Sequence, residues 1–148
     1  MENKNILSEI QTELKAPKGQ RNNFGNYRYR SAEDILEAAK PLLKKHDCAL
    51  IVSDDVVSIE GRVYVKAMAM LIHGNERIAD AVGFAREPEA KKGMDESQIT
   101  GASSSYARKY ALNGLFAIDD TKDSDFSNKH NNNSPVTKTV ATTNNELL

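Results

Sequence analysis

The chain has 148 residues, 39% of them hydrophobic and 28% charged, with a formal net charge of −1. Those figures fit one globular domain with a core and leave too little chain for two. No apolar run reaches the roughly 20 residues that span a bilayer. The first residues lack the basic-then-apolar layout of a secretory leader, and the single cysteine, Cys48, excludes an internal disulfide and a cysteine-rich zinc site; a cytoplasmic protein without metal or cofactor is expected.

In chain order, residues 3–14 form the first expected helix, because Ile6, Leu7, Ile10 and Leu14 recur at three and four residues and share one face. Pro17 and Gly19 end it. Between Lys15 and Arg30 the chain carries Lys15, Lys18, Arg21, Arg28 and Arg30 with no acid, and Phe24, Tyr27 and Tyr29 are interleaved with them. Gly25 and Asn26 predict a loop there, with a short strand at Tyr27–Tyr29. A second helix begins near Ser31, which forms a capping-box pattern with Asp34. Ile35, Ala38, Ala39, Leu42 and Leu43 supply its apolar stripe. Pro41 lies inside that stripe and predicts a kink or a break into two short helices.

Strands follow. Cys48–Ile59, Arg62–His73 and Glu76–Ala85 are separated by turn pairs at Glu60-Gly61 and Gly74-Asn75, which predicts three consecutive antiparallel strands. The middle strand alternates Val63, Val65, Ala67, Ala69 and Leu71 on one face with Tyr64, Lys66, Met68, Met70 and Ile72 on the other, so both sheet faces are expected to be at least partly covered. Cys48 reads as a small buried hydrophobe. A charged loop with Pro88 and Gly93 runs from Arg86 to Glu96, and a last helix from about Ser97 to Phe116. The expected fold class is α+β: an antiparallel three-stranded β-meander packed on helices, in a domain over residues 1–118. Residues 119–148 are polar and rich in Asn and Thr, and are expected to form a disordered tail.

Charge is distributed unevenly. The tail carries five acids against three lysines, −2 of the total −1, so residues 1–118 stand at +1. A near-neutral domain can still bind a polyanion through one concentrated basic strip. The last helix starts with small residues, Ala102 and Ser103 to Ser105, that allow another layer to approach closely. Its second half is apolar on several sides, which predicts burial between neighbours. At 100° per residue, Tyr106 and Tyr110 share a side with Ile99, Arg108 points opposite them, and Lys109 lies about 100° from Arg108. Two adjacent cations on such a helix either snorkel outward and pair with acids such as Asp119 or line a groove for phosphates. Tyr27 and Tyr29 likewise either anchor a strand edge or offer stacking surfaces to bases.

The run from Gly101 through Ser105-Tyr106-Ala107-Arg108-Lys109-Tyr110-Ala111-Leu112 to Leu115-Phe116-Ala117-Ile118, followed by Asp119-Asp120, resembles the signature of the Erf family, the phage "essential recombination function" proteins. Upstream, Phe24-Gly25-Asn26-Tyr27-Arg28-Tyr29, then Ala32, Ile35 and Pro41-Leu42, fit the same family, and the similarity spans roughly residues 5 to 120. Lys109 stands where the family commonly has a second arginine, and Ser105 where it often has threonine. Thr121-Lys122 interrupts the acidic run.

The resemblance implies a strand-strand-strand-helix core, ring or helical oligomers, and single-stranded DNA lying in a basic groove. Arg108 and Lys109 would lie along that groove, with Arg21, Tyr27, Arg28 and Arg30 joining from the N-terminal strip. The expected function is ATP-independent binding and annealing of single-stranded DNA in phage homologous recombination, without covalent chemistry. The implied partners are single-stranded DNA, further copies of the chain, and a phage exonuclease or host single-strand-binding protein. An RNA-binding or structural phage protein would carry the same basic strip. A metal-dependent nuclease would use Asp119, Asp120, Asp123 and Asp125, whereas His46, His73 and His130 lack ligand spacing and no phosphate-cradling glycine loop is present.

Overall fold

A computed structural model describes residues 5–89 and 93–119 of the chain. Helix α1 covers Ile6–Glu13, and Asn5 caps it by accepting a hydrogen bond from the Ser8 backbone N–H. Two short strands, β1 (Gln20–Asn22) and β2 (Tyr27–Tyr29), form an antiparallel hairpin. Helix α2 covers Ala32–Lys45, and strands β3 (Cys48–Ile59), β4 (Arg62–His73) and β5 (Glu76–Glu87) pair antiparallel in the order β3-β4-β5. Helix α3 (Glu96–Phe116) closes the described fold. The α+β meander on helices read from the sequence is therefore the fold observed. Residues 3 and 4 of the first expected helix and residues 120–148 of the expected tail lie outside the described residues.

Local chemistry accounts for the boundaries. At α2 the capping box is complete: the Ser31 hydroxyl accepts from the Asp34 backbone N–H and the Asp34 carboxylate accepts from the Ser31 N–H. Pro41 does not split α2, which continues to Lys45. Its ring falls on the exposed side, where the Glu37 carbonyl that loses its donor faces water, while Ile35, Ala39 and Leu43 hold the opposite side in the core. Glu60 and Gly61 turn from β3 to β4 with φ of 52° and 79°, the two positive values of a type I′ turn. A register shift between Leu71 and Ile72 bulges the far end of the β4–β5 ladder.

One face of the sheet meets the helices. Val65, Ala67, Ala69 and Leu71 of β4 are buried there with Ile10 and Leu14, with Ile35, Ala39 and Leu43 of α2, and with Ala107, Ala111, Leu112, Leu115 and Phe116 of α3. Most residues at the centre of this contact are small, so α3 lies close to the strands. Gly83 of β5 sets the limit: a Cβ there would stand 2.4 Å from the Ala107 carbonyl oxygen and 2.5 Å from the Ala111 nitrogen.

On the second sheet face Tyr64, Lys66, Met68, Met70 and Ile72 of β4 are half-buried, as expected, whereas Ile51, Ile78, Val82 and Phe84 on the flanking strands are exposed. One expectation is corrected by this packing: α3 is not buried all round. Its buried stripe runs through Ile99, Ser103, Ala107, Ala111 and Leu115, while Tyr106 and Tyr110 are half exposed and stacked with centroids 6.3 Å apart. A wheel of angles shows which residues share a side, but not where the sheet beneath them ends. Cys48 is half-buried rather than buried; its thiol donates to the His46 carbonyl at 3.5 Å, and burial, helped by the Asp47 charge, pushes its pKa up.

Candidate nucleic-acid interface

The β1–β2 hairpin organises the N-terminal basic strip. Arg21 and Arg28 are direct cross-strand partners, and both side chains lie on the exposed side of the hairpin. Like charges placed opposite each other destabilise a strand pair, so the juxtaposition of the two charges does not itself favour the hairpin. The inward side carries Tyr27 and Tyr29, packed edge to face at 6.2 Å. The Tyr27 hydroxyl accepts from the Asn22 side-chain amide at 3.2 Å.

Asp34 moors the hairpin to α2. Besides capping the helix, its carboxylate accepts from the Gln20 side-chain amide at 3.4 Å. The Ser31 backbone N–H is the main cause of its lowered pKa, working against partial burial, with Ser31 hydroxyl, Gln20 and the nearby Arg30 charge adding to it. Arg30 follows β2 and is half-buried; its Nε donates to the Ala16 carbonyl at 2.8 Å, tying the hairpin to the segment after α1. Lys15 and Arg30 both line an open cavity between that segment and the C-terminal end of α3.

Helix α3 supplies the remaining cations, and they diverge. The Lys109 ammonium lies over the Tyr29 ring, 5.5 Å from its centroid, within the range of a cation–π contact. Arg108 turns to the sheet, where its Nε donates to the Asp54 carboxylate of β3 at 3.0 Å. The Ser104 hydroxyl, one turn earlier on the same helix, donates to the same carboxylate. Burial pushes the Asp54 pKa up, but the hydrogen bonds from Arg108 and Ser104 outweigh it and hold the carboxyl below its ordinary value.

Of the six residues named from the sequence, Arg21, Tyr27 and Arg28 thus share the hairpin, Arg30 braces its base, and Lys109 meets it from α3. Arg108 is engaged by Asp54 on β3. Sequence reasoning missed Asp54 and Ser104; an acid pair, Asp54-Asp55, inside a mostly apolar strand was the available signal, since Asp is depleted in strands. Phe24, which the sequence placed among the aromatics of the basic strip but not among those six, stands at the hairpin tip and is fully exposed. Of the acids considered for a metal site, Asp120, Asp123 and Asp125 lie outside the described residues, and no cluster of three metal-ligating side chains occurs among the described ones. Among those residues no helix is long and apolar enough to cross a membrane.

A β-β-β-α protein that sets a cationic, tyrosine-bearing hairpin against its long helix is the class that fold and site define. A family model described as the ERF superfamily matches residues 4–147. The chain belongs to that family, as its last-helix motif indicated. It is 60% identical over 119 residues to the essential recombination function protein of Salmonella phage P22, a match covering 80% of this chain and 57% of that relative. The chain thus spans somewhat over half the length of the curated relative. No solved structure matches it.

Proposed function

We propose that the protein binds single-stranded DNA along the β1–β2 hairpin and the adjoining face of α3, and promotes annealing of complementary strands in phage recombination without ATP. The observation that carries this reading is the approach of Lys109 to Tyr29, which joins the basic strip of the N-terminal region to the cationic helix near the end of the described chain. Membership of the ERF superfamily and the recombination name of the phage P22 relative support it.

The physics suits a sequence-tolerant binder. Exposed cations contact phosphates, which carry no base identity. Aromatic faces accept any base. A single protomer offers few such contacts, so repeated copies along one strand multiply the effective concentration. The second sheet face, with Ile51, Ile78, Val82 and Phe84 exposed among the described residues, supports assembly, because exposed apolar patches mark association surfaces.

The test mixes two complementary labelled oligonucleotides with the protein, without ATP, and follows duplex formation as salt is varied. Faster annealing that fades with salt is expected. Shortened labelled fragments would point to a nuclease instead, and tight RNA binding without acceleration to an RNA-binding protein; either result overturns the proposal.

A further inference from the structure

The hairpin tip is built to present one side chain. Asn22 Oδ1 accepts from the backbone N–H groups of Phe24 and Gly25 at 2.8 and 3.0 Å, and Arg21 donates to the Asn26 side chain, whose backbone has φ of 54°. The turn closes tightly enough that a Cβ on Gly25 would stand 2.3 Å from the Tyr27 ring. At the apex of this fixed turn Phe24 has a relative exposure of 104%, the highest among the exposed large hydrophobics. Nothing in the described fold uses the ring, and Asn or Asp would suit such a turn better.

Its surroundings define what it would meet. Arg21 and Arg28 flank it on the outward side of the hairpin, so a polyanion is drawn to the same edge. From the Arg21–Arg28 pair to the tip is three residues of strand and turn, at most about 10 Å, which is within reach of a base belonging to a strand whose phosphates those arginines hold. We propose that Phe24 is a base-stacking finger: its ring packs against an unstacked base of the bound single strand while Arg21 and Arg28 hold the neighbouring phosphates. This rests on the single-strand-binding reading above and adds a defined contact to it.

The chain contains no tryptophan, so Phe24→Trp introduces a single tryptophan at the tip, excited selectively over the tyrosines. Labelled-DNA anisotropy and tryptophan emission are recorded together, with a base-bearing oligonucleotide and with one of equal length carrying abasic sites. The expected result is quenching by the first and little by the second, although both bind. Phe24→Ala should weaken binding of the base-bearing strand by roughly fivefold or more, the low end of a stacking contact, and leave the abasic strand's affinity unchanged. Bound DNA with no quenching, or equal quenching by both strands, would remove Phe24 from the contact and leave the hairpin's phosphate-binding role standing. A blue shift that grows with protein concentration before DNA is added would place the tip inside another copy and overturn the assignment. Failure of the wild-type protein to bind either oligonucleotide would defeat the parent reading itself.

Discussion

Arg28→Gln separates a binding residue from a structural one. Among the described residues the Arg28 side chain makes no hydrogen bond or ion pair, and its cross-strand partner is another cation, Arg21. Removing its charge therefore takes no folded contact away and relieves a like-charge pair whose cost is about 0.2–1 kcal/mol. Urea unfolding should show stability unchanged or raised within that range. Binding should move the other way. On a single strand each phosphate contact contributes about 0.7 to the slope of log affinity against log salt. Raising salt fourfold weakens one such contact by 4 to the power 0.7, about 2.6-fold. Anisotropy titrations of labelled oligonucleotide across that range should show the variant binding more weakly at low salt. Its slope per protomer should be shallower by about 0.7. An unchanged slope, or a loss of stability beyond about 1 kcal/mol, would refute the reasoning, since Arg28 would then be spending its charge inside the fold.

Three further outcomes follow from the packing and the charges. Gly83→Ala drives a methyl into the Ala107 carbonyl and the Ala111 nitrogen; because backbone cannot swing aside, unfolding should show a loss of about 3 kcal/mol, the upper end for overpacking, whereas Gly114→Ala, with its nearest neighbour 3.6 Å away, should be mild or stabilising in a helix. Lys109→Ala should reduce DNA affinity in anisotropy titrations, while Arg108→Ala should lower stability by about 1 kcal/mol by leaving the part-buried Asp54 with Ser104 alone and affect affinity less; a larger loss of affinity from Arg108→Ala would exchange their roles. Asp34, Asp54 and Glu13, the last hydrogen-bonded by His46 and Lys45, have pKa values below the ordinary carboxylate range. Lowered folded-state values contribute stability that is complete above the unfolded pKa and lost as pH falls through the folded one. Tm should therefore stay level from these groups down to about pH 5 and fall progressively below it, and a decline complete by about pH 6 would contradict the assignment.

How far the sequence disclosed this molecule depended on whether a feature was local. The meander was legible because strict alternation in Val63–Leu71 met glycine-bearing turn pairs at both ends, and the Ser31–Asp34 box was legible because both partners lie within one helical turn. Strand β1 was not: Gln20-Arg21-Asn22 has no apolar alternation, and only its pairing with Tyr27–Tyr29 makes it a strand. Gly83 was illegible for a related reason, since its role depends on where α3 crosses β5. The candidate site divides the same way. Its residue types, five cations and interleaved aromatics in one acid-free stretch, stood out in the sequence. The fate of the two α3 cations did not, because it turned on which strand lies under Arg108 and which ring lies under Lys109. Two neighbours with the same charge were divided by 100° of helix: one met a carboxylate on β3 and became a tie between layers, and the other met an aromatic face on the hairpin. Charge composition can thus nominate a polyanion interface, but only tertiary register decides what each of its cations faces.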